Sequence, residues 1–116
     1  VADVIVTASA GPGTGTELTT QIMKGETMLY SLLDDSPKQS TRVAYIQFAN
    51  DPYGGNKTHR ADRLETMLRP KVESLLLIDQ PGGYTGHGAA YTAKFAYQFG
   101  ECIKRFVESA APLSGC

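Results

Sequence analysis

The 116-residue chain has no tryptophan, only two cysteines, and no apolar run approaching the ~20 residues that a membrane-spanning helix needs. Cys102 and Cys116 alone do not make a structural zinc site, which takes about four ligands. No excess of one charge exists either: eleven Lys and Arg stand against twelve Asp and Glu, for a formal net charge of -1. The longest basic run is the pair Lys104-Arg105, so the footprint of a nucleic-acid or anionic-membrane binder is missing. Val1 to Val6 lacks the charged region that opens a signal peptide, which reads as an already processed chain. What remains as partners are small molecules, metals and proteins.

Hydrophobic residues make up 41% of the chain, enough for one core in a single domain over residues 1–116. "DVIVTA" (3–8) reads as a buried strand, and "GPGTGTELTT" (11–20) as a glycine-rich loop after it. Leu18, Ile22, Gly25, Leu29 and Leu32 then keep helical spacing, with a cap near Thr16 and Glu17. "TRVAYIQFA" (41–49) is a second apolar strand, so a crossover with a parallel strand pair is expected. "NDPYGG" reads as a tight reversal, and the more polar residues 58–66 as a strand running back antiparallel at a sheet edge. Pro70 suits the first turn of a short helix through Val72, Leu75 and Leu76. A last helix carries Thr92, Phe95, Phe99, Cys102 and Phe106 and ends before Pro112.

Three readings compete for the glycine loop. Successive backbone amides leading into a helix N-terminus bind phosphate well, yet Gly15 is followed by Thr16 and Glu17 where a nucleotide loop needs Lys. Gly11, Gly13 and Gly15 alternate with single residues, which is not the dinucleotide spacing. "GTGTE" (13–17) is similar to the loop with which flavodoxins hold a flavin phosphate, where hydroxyls such as that of Thr14 suffice. In the plainest reading the glycines only supply the backbone freedom that a strand-to-helix turn requires.

The remaining reading uses more of the chain. "DVIVTASAG", "STRVAYIQFAND" and "PGGYTGHGAA", in that order, resemble the signatures of von Willebrand factor A-type (VWA) domains. Arg42, Val43, Gln47, Phe48, Gly82, Gly83, Thr85 and Gly88 stand where those signatures put them. The resemblance implies a three-layer α/β/α, Rossmann-like sheet, mostly parallel with one antiparallel edge strand, of which this chain carries the N-terminal half. It also implies a module for extracellular protein binding and cell adhesion, often with a divalent cation at the carboxyl ends of the strands. Carried over, Ser9, Gly11 and Gly13 take the places of the metal-loop ligands and Thr85 supplies a hydroxyl. Such a set has no carboxylate to balance a divalent ion, so a degenerate, metal-free site is expected.

No cofactor is expected. The expected ligand-binding rim comprises Ser9, Gly11, Gly13, Thr14, Thr85 and His87, and the partner is a protein. An incomplete sheet would leave the edge of "DVIVTA" bare, which predicts a homo-oligomer, an assembly role, or a second chain completing the sheet. Asn56-Lys57-Thr58 is a glycosylation sequon and points to secretion, while Cys102 and Cys116 are disulfide candidates. Ser9, His87 and Asp79 make a hydrolytic set only on paper, because no Gly-x-Ser-x-Gly occurs; the expectation is a non-catalytic module.

Overall fold

A computed structural model describes residues 3–8, 38–52, 57–108 and 115–116. The glycine loop, the helix expected through Leu18 to Leu32, and Asn56 lie outside the described residues.

Among the described residues, three strands, β1 (Asp3–Ala8), β2 (Lys38–Gln47) and β3 (Val72–Asp79), and two α-helices, α1 (Lys57–Arg63) and α2 (Ala93–Glu108), make up the main regular structure. The sheet order is β1-β2-β3 and both pairings are parallel. Ile5 stands opposite Val43, and Val43 opposite Leu75. A central parallel strand must be apolar on both faces, and β2 is. Val43 packs with Leu64, Val72 and Leu75 on the side of α1 and the turn after it. Ala44 and Leu76 turn the other way onto Cys102 and Phe106 of α2. Farther along, Ile46, Phe48 and Ile78 meet Tyr84, Phe95 and Phe99 on that same face. Helices therefore cover the sheet from both sides.

The helix α2 follows its apolar stripe: Phe95, Phe99, Cys102 and Phe106 are its buried residues. Thr92 starts it by accepting the Phe95 amide on Oγ1 at 3.2 Å, which satisfies one of the free donors of the first turn. At the far end, the Arg42 guanidinium of β2 donates to the carbonyl of Phe106 and, at 3.0 Å, to that of Val107. A cation on the last carbonyls suits the negative end of the helix. The disulfide Cys102–Cys116, with a sequence separation of 14, ties the end of the chain back to α2. Closing a loop of that length stabilises by about 3 kcal/mol. The outer edge of the sheet at β1 leaves Ile5 and Val6 half exposed. Among the described residues no helix is long and apolar enough to cross a membrane.

Two expected elements are exchanged. Residues 58–66 are not an antiparallel edge strand: α1 continues into a π-helical turn, Leu64–Leu68, and a 3-10 turn, Arg69–Lys71. Arg60, Leu64 and Leu68 recur every four residues, and Glu65 binds Arg69 through both carboxylate oxygens at 2.6 and 2.7 Å. That helical spacing outweighs the polar composition of the segment. Val72, Leu75 and Leu76, expected on a short helix, lie instead in β3, a nearly continuous apolar run buried on both faces. A small, all-parallel, three-stranded sheet with two helices replaces the mostly parallel sheet with an antiparallel edge strand. The VWA and adhesion framing, made on sequence signatures, conflicts with this small all-parallel sheet and is withdrawn.

Hydrogen bonding to Arg69 holds the Glu65 carboxyl below its usual value of 4.5. A depressed carboxylate contributes stability above its unfolded pKa and loses it as pH falls through the folded one. The pair is largely solvent-exposed, so the contribution is below about 1 kcal/mol. Arg42 matters more, since its charge-assisted hydrogen bonds to helix carbonyls come from a side chain only 11% exposed, against 32% for Arg69. Arg42→Met is expected to lower unfolding free energy by about 2 kcal/mol in urea titrations. A loss under ~0.5 kcal/mol would show that α2 does not depend on this cap.

Candidate functional site

Parallel strands release their chain at one end of the sheet, which is where open α/β sheets collect functional groups. Here the segments after β2 and β3 run side by side. The Gln80 amide donates to the Gln47 carbonyl at 2.8 Å, and the Gly86 amide to that of Ala49, also at 2.8 Å. Ala49 and Thr85 form an isolated parallel bridge. Sharp turns make this possible: Asn50 and Gln80 take φ of 56° and 50°, and Gly83 and Gly86 take 86° and 88°. Asn tolerates that region, whereas Gln80 is held there at a cost of about 1 kcal/mol. At Gly83 a side chain would also strike Lys94 Nζ, which lies 2.9 Å from the ideal Cβ position.

The loop after β3 is anchored by Tyr84, which is buried edge-on against Phe95 at 5.7 Å between ring centroids. Its hydroxyl lies 2.8 Å from Gln98 Oε1 and 3.1 Å from the Lys94 carbonyl, two acceptors for one proton. Lys94 Nζ in turn donates to the Gly83 carbonyl at 2.8 Å. The loop is thereby fixed to the start of α2.

On this frame Asp51 meets His87. The Asp51 residue is 4% exposed, and both of its carboxylate oxygens lie 3.1 Å from His87 Nδ1. The His87 side chain is 49% exposed. A carboxylate only accepts hydrogen bonds, so the shared proton sits on Nδ1. Lys57 Nζ donates to the Asp51 carbonyl at 2.9 Å. The Gln47 amide donates to the Lys57 carbonyl at 2.9 Å and to Asp79 Oδ1 at 2.7 Å, while Gln80 Nε2 reaches the same Oδ1 at 3.1 Å. One chain of hydrogen bonds thus runs from Asp79 through Gln47 and Lys57 to Asp51 and His87. Gln47 Oε1 is buried without a hydrogen-bond partner, but turning the amide over would face two acceptors with a third.

Of the rim residues expected from sequence, Thr85 and His87 stand together on this edge, both exposed. Ser9, Gly11, Gly13 and Thr14 lie outside the described residues. Asp79, the acid considered for His87, is bound to Gln47 and Gln80 instead, and Asp51 takes its place. Asp51 was hidden inside "NDPYGG", read as a reversal. Its signal is positional: once β2 and β3 are parallel, an acid just past β2 falls on the ligand-binding edge. Among the described residues no three His, Cys, Asp or Glu side chains converge as a metal site would require.

Comparisons of the chain with protein-family models, with curated proteins and with solved structures find no match. The chemistry of the rim rests on its own geometry.

That geometry fixes a tautomer. Nitrogen-15 NMR of the neutral His87 ring is expected to show the proton on Nδ1, and Asp51→Asn, which offers a donor as well as an acceptor, is expected to populate the Nε2–H form. A wild-type ring protonated chiefly on Nε2 would contradict the assignment.

Proposed function

We propose that the chain is a secreted binding module whose recognition surface is the rim made by residues 48–52 and 82–88. The observation that carries this reading is the buried Asp51 carboxylate aligned on a half-exposed His87. A ring held by a buried carboxylate at the edge of the sheet presents a fixed polar group to a partner's hydrogen-bonding groups. The partner is a protein segment, recognised by shape and hydrogen bonding rather than through a cation. Loops fixed by a rigid scaffold serve such contacts, and the Ala49–Thr85 bridge and the Tyr84 anchor supply the rigidity. The Cys102–Cys116 disulfide supports an oxidising compartment, since such bonds persist mainly outside the cytosol.

Selection of displayed random peptides on the intact chain tests the reading. Peptides that bind are expected to lose about 3- to 10-fold in affinity on His87→Ala, the value of one ordinary hydrogen bond. Glu65→Gln, on the turn after α1, is expected to leave affinity unchanged. Peptides that bind His87→Ala as well as wild type would remove His87 from the recognition surface.

A further inference from the structure

We infer that the Cys102–Cys116 disulfide is a thiol-exchange site with a fixed direction: a low-molecular-weight thiol adds to Cys116, and Cys102 is released as a buried thiol. The inference does not rest on the rim, since Cys102 packs with Ala44 and Leu76 in mid-strand, whereas the rim lies beyond Gln47 and Asp79. Three observations support it. The first is the unequal cover of the two half-cystines. Cys102 is 9% exposed and clustered with Ala44, Leu76 and Phe106, each 0% exposed, while Cys116 is exposed. A thiolate attacks a disulfide sulfur in line with the S–S bond, from the side away from the leaving sulfur, so access selects the sulfur attacked. The cluster shields Cys102, and Cys116 stands open. The second is that α2 is held without the bond. Thr92 caps its start, Arg42 caps its last carbonyls, and Phe95, Phe99 and Phe106 are buried against the sheet. The third is that Cys102 keeps its place after release, because a buried thiol packs as a small apolar side chain.

The step balances with the thiol as the one co-reactant. Its thiolate forms a bond to Cys116 Sγ as the S–S bond breaks, and the electron pair of that bond leaves on Cys102 Sγ. Cys102 then takes a proton from water. The incoming thiol is oxidised to the mixed disulfide, Cys102 is reduced, and the number of disulfide bonds is unchanged. With only two cysteines in the chain, no third sulfur competes for the adduct. Cys116 is thereby released from α2 bearing the thiol, while α2 remains on the sheet.

Reaction of the intact chain with excess glutathione is the test, quenched in acid at short times and mapped by peptic digestion and mass spectrometry. Glutathione is expected on Cys116 at least ~10-fold more than on Cys102, and equally on both in denaturing urea, where nothing shelters either sulfur. The adduct is expected to keep a cooperative unfolding transition, with its midpoint lower by about 10–20 °C for the loss of this loop closure. Two variants check the sheltering without the disulfide. The Cys102 thiol of Cys116→Ser is expected to react with an aromatic disulfide reagent at least ~10-fold more slowly than the Cys116 thiol of Cys102→Ala. The mapping in wild type decides the matter whether or not those variants fold. A chain that carries glutathione chiefly on Cys102, on both sulfurs equally, or on neither overturns the inference, as does an adduct without cooperative unfolding.

Discussion

The parallel pairing of β2 with β3 is the constraint on which the rest of the structure depends. Gln47 and Asp79 are partners in its register, so both strands end at the same level and release their chains on the same edge. Parallel strands cannot be joined by a tight turn, and residues 48–71 supply the crossover through α1 and the turns that follow. The pairing also demands cover on both faces, which α1 with its turn and α2 provide. An antiparallel return after "NDPYGG" would have sent the third strand's carboxyl end to the opposite edge. Asp51 and His87 would then have no reason to meet.

The rim is built with local strain and long-range hydrogen bonds together. Gln80 sits in the left-handed region immediately after β3, and its amide and side chain are both used, on the Gln47 carbonyl and on Asp79. Asn50 makes the same backbone turn after β2 at lower cost. Such turns persist only where neighbours over-determine them, and they are concentrated at functional edges. Here the neighbours are the Ala49–Thr85 bridge and the chain of bonds through Gln47 and Lys57. A buried carboxylate beside that chain requires donors, and His87 supplies one from the rim.

Legibility from sequence followed how local each signal was. The α2 stripe was readable because Phe95, Phe99, Cys102 and Phe106 repeat at three and four residues, and β2 because its apolar run is long and β-branched. The segment 57–79 was misread for the opposite reason. A polar helix with a narrow Arg60, Leu64, Leu68 stripe and a leucine-rich strand each carry the other element's composition, and short apolar runs do not reveal their period. Thr85 was expected on the rim from the VWA resemblance, and His87 from its place in the turn beside it. Asp51 was not, since its partner lies 36 residues away and only the topology brings them together. Residues that supported the VWA resemblance have local structural work instead: Arg42 caps α2, Gln47 bridges Asp79 to Lys57, and Phe48 fills the core.

The central claim is that Asp51 and His87 act as one unit holding the two loops in place. A double-mutant cycle on unfolding free energy, using Asp51→Asn, His87→Gln and the pair, measures that coupling directly. Mutual dependence predicts a coupling energy of about 1 kcal/mol or more, in keeping with a hydrogen bond to a sheltered carboxylate. Single-variant losses that simply add, to within ~0.3 kcal/mol, would mean that the two side chains are neighbours without being partners.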